Sequence, residues 1–262
     1  MMRFDTNLTT MYGSRGILEA LEAAKADGFD AVECRSPFDA PKEAVADALK
    51  RLGIRMVQFN TPMGDYAAGD RGIGCRPGRA EEFRASIAQA LDYAEALGVE
   101  QLNCCAGLMQ PGEDRTELEE QLCENLAFAA AHGAELGVRI QLEPINLVDT
   151  PGILIATLAD AERILDQVGH PNLYLQFDFY HQQVMAGDLA RSYDRVKHRV
   201  NHVQIADNPG RHEPGTGEIA YGFLLGHLEQ SGYSGWVGLE YVPVESAGEG
   251  LGWLAAYRDG KL

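Results

Sequence analysis

Short apolar runs alternate with longer amphipathic stretches from one end of the chain to the other. The short runs, rich in Val, Ile, Leu and Phe, have the continuous hydrophobicity of buried parallel strands. They fall at Arg3–Leu8, Ala31–Cys34, Arg55–Phe59, Gln101–Cys105, Arg139–Glu143, Tyr174–Asp178, His202–Ile205 and Val237–Tyr241. Between them, apolar positions recur at helical spacing over Gly16–Asp27, Lys42–Leu52, Ala80–Leu97, Glu117–Leu136, Leu158–Val168, Asp188–Lys197 and Tyr221–Ser231. Several of these stretches close in a Gly suited to a left-handed cap, namely Gly28, Gly53, Gly98, Gly137, Gly169 and Gly232. Strand–helix units with short returns, repeated eight times, predict an α/β fold of the (β/α)₈ TIM-barrel kind, with residues 1–262 as a single domain. A doubly wound open sheet is the alternative. One stretch breaks the rhythm: Asn60–Arg79 is long, irregular and rich in Gly. In a barrel it would lie over the C-terminal mouth, where active sites are built.

Length and charge narrow the function. A chain of 262 residues suits one α/β barrel. No apolar run approaches the roughly 20 residues that cross a bilayer, and Met1-Met2-Arg3-Phe4-Asp5 lacks the apolar region of a signal peptide. A cytoplasmic protein with no membrane partner is therefore expected. The net charge of −17 argues against a nucleic-acid partner, because phosphate binding needs a concentrated basic face. An anionic substrate would need a local cluster of Arg or His inside that repelling field. The five cysteines include no C-x-x-C pair and read as reduced, structural thiols.

The chemistry sits where strands end. Ile140-Gln141-Leu142-Glu143, Leu175-Gln176-Phe177-Asp178, Val203-Gln204 and Val237-Gly238-Leu239-Glu240 each run through apolar residues to a side chain that can bind a metal. In a barrel these would be the C-terminal ends of consecutive strands, so Glu143, Asp178, Gln204 and Glu240 can converge. Their carboxylates and single amide oxygen form a hard, all-oxygen set suited to a divalent metal, Mg²⁺ or Mn²⁺. Taken singly, each residue could equally cap its strand; four in succession favour a metal site. Around them stand candidate substrate contacts. His181 follows Asp178 by three positions on the expected strand-six loop. Arg211 can pair bidentately with a substrate carboxylate. Asn60 follows strand three, and Arg71, with Arg76 and Arg79, lies on the long loop.

The flanking segments resemble the hydroxypyruvate isomerase family, within the wider xylose-isomerase-like barrels. The resemblance lies in Glu143-Pro144-Ile145-Asn146, Asp178-Phe179-Tyr180-His181, the run from Gln204 through Asp207-Asn208-Pro209-Gly210-Arg211-His212 to Ile219, and Gly235-Trp236-Val237-Gly238-Leu239-Glu240-Tyr241. It extends to Gly64–Gly72, Pro77-Gly78-Arg79 and Gly250-Leu251-Gly252-Trp253, and so covers nearly the whole chain. It implies that Glu143 and Glu240 are the acid/base pair and, with Asp178 and Gln204, the metal ligands. It also implies an aldose–ketose isomerase that interconverts hydroxypyruvate and 2-hydroxy-3-oxopropanoate through an enediolate. Which glutamate acts first is left open. Strand two departs from the family pattern: Val32-Glu33-Cys34-Arg35-Ser36 puts small or polar residues where bulky apolar ones are usual. Glu33 itself either lines the mouth or caps its strand.

Other readings keep or abandon the site. A 2-oxo-tetronate isomerase or a ketose 3-epimerase would use the same metal on a small-molecule 2-oxo acid or short sugar. An apurinic endonuclease on this barrel would need several zinc ions and many His ligands, and the chain has only seven His and a strong acidic balance. A non-enzymatic binding protein would leave the four ligands unexplained. A homo-oligomer stays open, because Tyr221–Ser231 and Trp253–Tyr257 could pack on this barrel or on a second copy.

Overall fold

Eight parallel strands follow one another in sequence order around a closed barrel, the TIM-barrel architecture that the alternating pattern predicts. The computed structural model describes residues 2–13 and 15–261. Met1, Ser14 and Leu262, and with them both outer bounds of the expected domain, lie outside the described residues. The strands are β1 Arg3–Asn7, β2 Ala31–Cys34, β3 Arg55–Asn60, β4 Gln101–Asn103, β5 Arg139–Leu142, β6 Leu173–Asp178, β7 Val200–Ile205 and β8 Trp236–Leu239. The helices are α1 Leu8–Met11, α2 Ile17–Ala26, α3 Lys42–Leu52, α4 Ala80–Leu97, α5 Arg115–Glu135, α6 Leu158–Val168, α7 Phe179–Met185, α8 Leu189–Val196, α9 Tyr221–Gln230 and α10 Gly252–Arg258. All six predicted cap glycines have positive φ, as at Gly53 (64°) and Gly98 (67°), which close α3 and α4. Among the described residues no helix is long and apolar enough to cross a membrane.

The chain divides into two compact units. In the first, residues 1–57 and 177–262, β1 lies between β2 and β8, with Asn7 opposite Glu33 and Asp5 opposite Gly238. Strand β7 extends this sheet on the far side of β8, with Gln204 also opposite Gly238. Successive strand residues face opposite sides. Phe4 points outward and meets the rings of Trp253 and Tyr257 edge-on, at centroid distances of 5.8 and 5.4 Å. The aromatic tail thus packs on its own unit. Asp5, its neighbour, faces inward and is fully buried. Outside the strands the core is conventional: Leu21, Val45, Leu225 and Leu228 are all buried to the last per cent. Each such burial contributes about 1.5–3 kcal/mol.

In the second unit, residues 58–176, β3, β4, β5 and the start of β6 form the sheet, with Asn60 opposite Asn103 and Asn103 opposite Gln141. Its inward positions are polar as well: Gln141 donates to Gln58 at 2.8 Å, and both are buried.

Three helices were absent from the pattern. Of these, α7 changes the site: His181 stands on a helix, not on a loop after strand six. The run Phe177-Asp178-Phe179-Tyr180 is aromatic apart from Asp178 and contains no Gly or Pro. Asp178 nevertheless starts a helix at once, because its Oδ1 accepts the Tyr180 amide at 2.8 Å as an N-cap. Strands β5 and β8 stop at Leu142 and Leu239, so Glu143 and Glu240 are the first residues beyond them.

Candidate active site

In the first unit, Asp178, His181, Arg211 and Glu240 come together. The Arg211 guanidinium donates to Glu240 Oε2 at 2.7 Å and lies 3.8 Å from Asp178 Oδ2. Its outer face lies over the Tyr180 ring, 5.2 Å from the centroid. His181 Nε2 stands 3.6 Å from Asp178 Oδ2. Burial pushes the Asp178 carboxyl up to about 7 and raises Glu240 as well, against the opposing pull of Arg211. Burial, with Arg211 nearby, holds His181 well below its ordinary value, so its ring is neutral at pH 7. The cluster therefore has neutral imidazole, guanidinium and two carboxyls within one small region.

Arg211 reaches this place through a loop organised by one carboxylate. Asp207, just past β7 and fully buried, accepts four backbone amides: Asn208 and Ile219 on Oδ1, Gly215 and Gly217 on Oδ2, all at 2.9–3.0 Å. Its own amide donates to His212 O at 2.7 Å, and Val242 donates back to Arg211 O at 2.8 Å. Arg211 is held at φ 57°, a left-handed conformation that costs a non-glycine residue about 1–3 kcal/mol. The cost is tolerated because neighbours on both sides pin the backbone. The sequence reading did not single out Asp207; its only local signal is an Asp preceding Asn-Pro-Gly in a loop rich in Gly.

Gln204 lies one step further round the same sheet. Its Nε2 donates to Glu33 Oε1 at 2.6 Å. Glu33 also accepts Asn7 Nδ2 at 2.9 Å and pairs with His202 Nε2 at 2.7 Å, and all four side chains are buried. Asn7 Nδ2 lies 3.3 Å from Glu240 Oε1 too, so the network runs from Gln204 through Glu33 and Asn7 to Glu240. Burial alone would raise the Glu33 carboxyl, but His202, Asn7 and Gln204 outweigh it and keep it low. Asp5 behaves oppositely. Burial and then the Glu33 charge push it well above the carboxylate range, and a side-chain hydrogen bond to Glu33 acts in the same direction. Glu33 thus ties its own strand to β1 and β7.

In the second unit, Glu143 is buried and its Oε2 accepts Asn103 Nδ2 at 2.9 Å. The two glutamates are thus held alike, each by an Asn at the end of the neighbouring strand. Asn60, half-buried at the end of β3, turns its amide toward Cys105 Sγ at 3.6 Å. Arg71 folds back on its own loop, donating to Asp70 O at 2.7 Å and stacking 3.9 Å from the Tyr66 ring centroid. Arg76 makes a bidentate pair with Glu113 (2.8 and 2.9 Å), and Arg79 does the same with Asp70 (2.9 and 3.0 Å). These pairs make the irregular stretch a built loop rather than a reserve of positive charge.

The donor chemistry fits a hard divalent cation. Asp178, Gln204 and Glu240 offer oxygen, and Asp178 Oδ2 is buried without a hydrogen bond although two cationic or ring nitrogens approach it. Asp178 and His181 belong to a buried group able to hold a metal, and Asp5, Glu33 and His202 form another.

Known proteins align with the chain over almost its full length. A family profile described as "Xylose isomerase-like TIM barrel" matches residues 21–257. A hydroxypyruvate isomerase of Escherichia coli K12 is 41% identical, covering 98% of this chain and 100% of that protein. A 2-oxo-tetronate isomerase of Cupriavidus necator is also 41% identical, covering 98% and 99%. Among solved structures, one titled AP endonuclease, family 2, from Brucella melitensis superposes with a TM-score of 0.94 at 40% identity, over 98% of this chain and 99% of that one.

Proposed function

The chain belongs to the xylose isomerase-like TIM-barrel family, among its hydroxypyruvate and 2-oxo-tetronate isomerases, and we propose that it interconverts hydroxypyruvate and 2-hydroxy-3-oxopropanoate. One observation carries the reading: the Arg211 guanidinium lies against Glu240 and Asp178, so one cationic fork stands beside two strand-end carboxyls. A substrate that carries its own carboxylate next to a hydroxyketone matches that arrangement, with Arg211 pairing the carboxylate.

In this reading Glu143, Asp178, Gln204 and Glu240 hold one divalent cation, Mg²⁺ or Mn²⁺. When bound, such an ion stabilises the negative charge that develops on the enediolate oxygens. The reaction moves one proton between carbons and one between oxygens. A carboxylate of the Glu143/Glu240 pair takes a proton from the hydroxymethyl carbon, and the electron pair becomes the double bond of the enediolate. Return of the proton to the neighbouring carbon, with the hydroxyl proton passing from one oxygen to the other, completes the aldehyde. Asn103 and Asn7 hold the two glutamates in place for this transfer. His181, neutral because it is buried, donates to a substrate oxygen without adding charge.

A second reading, 2-oxo-tetronate as substrate, is favoured by the equal identity to the Cupriavidus enzyme. It keeps every role and lengthens the substrate by one carbon. Endonuclease activity is not part of the proposal. Of the chain's seven His, only His181 and His202 are buried, and the net charge of −17 repels a phosphate backbone. The test is a substrate panel on metal-stripped protein, with and without Mg²⁺ or Mn²⁺: hydroxypyruvate, 2-oxo-tetronate and a neutral ketose, with Glu143→Gln and Glu240→Gln alongside. Metal-dependent turnover of hydroxypyruvate, lost in both variants, supports the proposal. Turnover of the longer acid alone moves it to the second reading, and turnover of the ketose alone overturns the role of Arg211.

A further inference from the structure

A glutamine that is to bind a cation must present its oxygen, yet the two ends of a primary amide are nearly the same size and shape. Packing alone does not decide which end faces the ion. In the first unit the decision is made by charge. Glu33 is a carboxylate with acceptors only, and it lies 2.6 Å from the Gln204 nitrogen. The amide oxygen is at the opposite end of the same planar group and is therefore turned away from Glu33. We propose that Glu33 is a positioning residue that orients the Gln204 amide so that its oxygen is presented as a metal donor. The inference rests on the metal site of the preceding reading and adds the device that makes Gln204 a competent member of it.

The surroundings fit that task. Asn7 is oriented by the same logic from its other end: its Oδ1 accepts the Thr9 and Thr10 amides at the start of α1, at 3.0 and 3.1 Å. Its nitrogen is thereby forced toward Glu33 and Glu240. His202 Nε2 holds the second Glu33 oxygen at 2.7 Å. The carboxylate is thus fixed on both oxygens by three side chains from β1 and β7. Room for it is left by Gly238, where a Cβ would stand 2.7 Å from Glu33 Oε2 and 2.9 Å from Oε1. A larger residue on β8 would push the carboxylate off the Gln204 nitrogen.

The experiment is a Mn²⁺ titration by calorimetry on the metal-stripped full chain, comparing wild type with Glu33→Gln, Gly238→Ala, Gln204→Ala and the Glu33→Gln/Gln204→Ala double variant. Loss of an outer partner of a metal ligand commonly weakens affinity about ten- to hundredfold, and that loss is expected for Glu33→Gln. Gly238→Ala keeps the charge but displaces it, and a shift in the same direction is expected. In the Gln204→Ala background, Glu33→Gln should lose most of its effect, keeping only what passes through Asn7 to Glu240. Should Gln204→Ala weaken Mn²⁺ binding while Glu33→Gln and Gly238→Ala leave it unchanged, the positioning role is overturned and the metal site stands. Full additivity in the double variant overturns it in the same way. Wild-type protein that binds no Mn²⁺ overturns both the metal site and this role. Thermal melting identifies a Glu33→Gln chain that does not fold, in which case Gly238→Ala decides.

Discussion

Asp207 and Gly217 are fitted to each other: the carboxylate accepts the Gly217 amide at 2.9 Å, and a Cβ at 217 would stand 2.6 Å from its other oxygen. The contact closes the loop after β7 that carries Arg211. Two changes should open it. Gly217→Ala overpacks the contact, at a cost of about 1–3 kcal/mol. Asp207→Asn puts a donor where two backbone donors already point, which costs about 1–3 kcal/mol for each amide left unpaired. Both are expected to raise KM for a carboxylate substrate more than they lower kcat. Unchanged steady-state constants in both variants would mean the loop does not set the position of Arg211.

Arg211→Lys tests the guanidinium itself. A lysine keeps the charge but loses the planar fork that reaches Glu240 at 2.7 Å while lying over Tyr180. We expect KM for hydroxypyruvate to rise about tenfold, the loss of one charge-assisted hydrogen bond. A neutral ketose, if turned over at all, should be affected much less. Equal losses on both substrates would assign Arg211 to the carboxyl cluster alone.

The paired asparagines should bear on both catalysis and stability. Asn103→Ala removes the donor that holds Glu143 and is expected to lower kcat about tenfold or more, with a stability loss of about 1–3 kcal/mol for the buried acceptor left without this donor. Asn7→Ala removes the donor to Glu240 and also the N-cap of α1, so it should lower Tm as well, by a cap loss of about 1 kcal/mol. Kinetic and melting measurements on the two variants side by side check this; a Tm loss confined to Asn103→Ala would contradict it.

Asp5 gives the fold a pH dependence of definite sign. Its carboxyl is raised well above 3.8, so the folded chain holds that proton more tightly than the unfolded chain does. The associated stability is complete at low pH and is lost as pH rises above 3.8 and through the raised folded value. Asp5→Asn removes the ionisation and lets an amide donate toward Glu33. Urea midpoints at about pH 4 and about pH 8 should show the variant gaining on wild type at the higher pH. A constant difference between the two would place the proton elsewhere.

Local information was enough for the fold and for the places where chemistry collects. Strand and helix periods, and a Gly after helix after helix, lie within a few residues of one another, so the barrel and the strand-end positions of Glu143, Asp178, Gln204 and Glu240 were legible in the chain. The partners of those side chains were not. Glu33 and Gln204 are 171 residues apart, as Asn7 and Glu240 are 233. They meet because parallel pairing brings β2, β1, β8 and β7 side by side and fixes which inward residues share a level. Helix α7 escaped for a related reason: its aromatic sequence suits strand and helix equally, and the Asp178 cap decided the matter. So did the turning of Arg76 and Arg79 toward Glu113 and Asp70, since a loop arginine looks the same in sequence whether it faces a substrate or a neighbouring carboxylate. Sequence determines which side chains are available at each strand end; only the register of distant strands decides which of them hold one another.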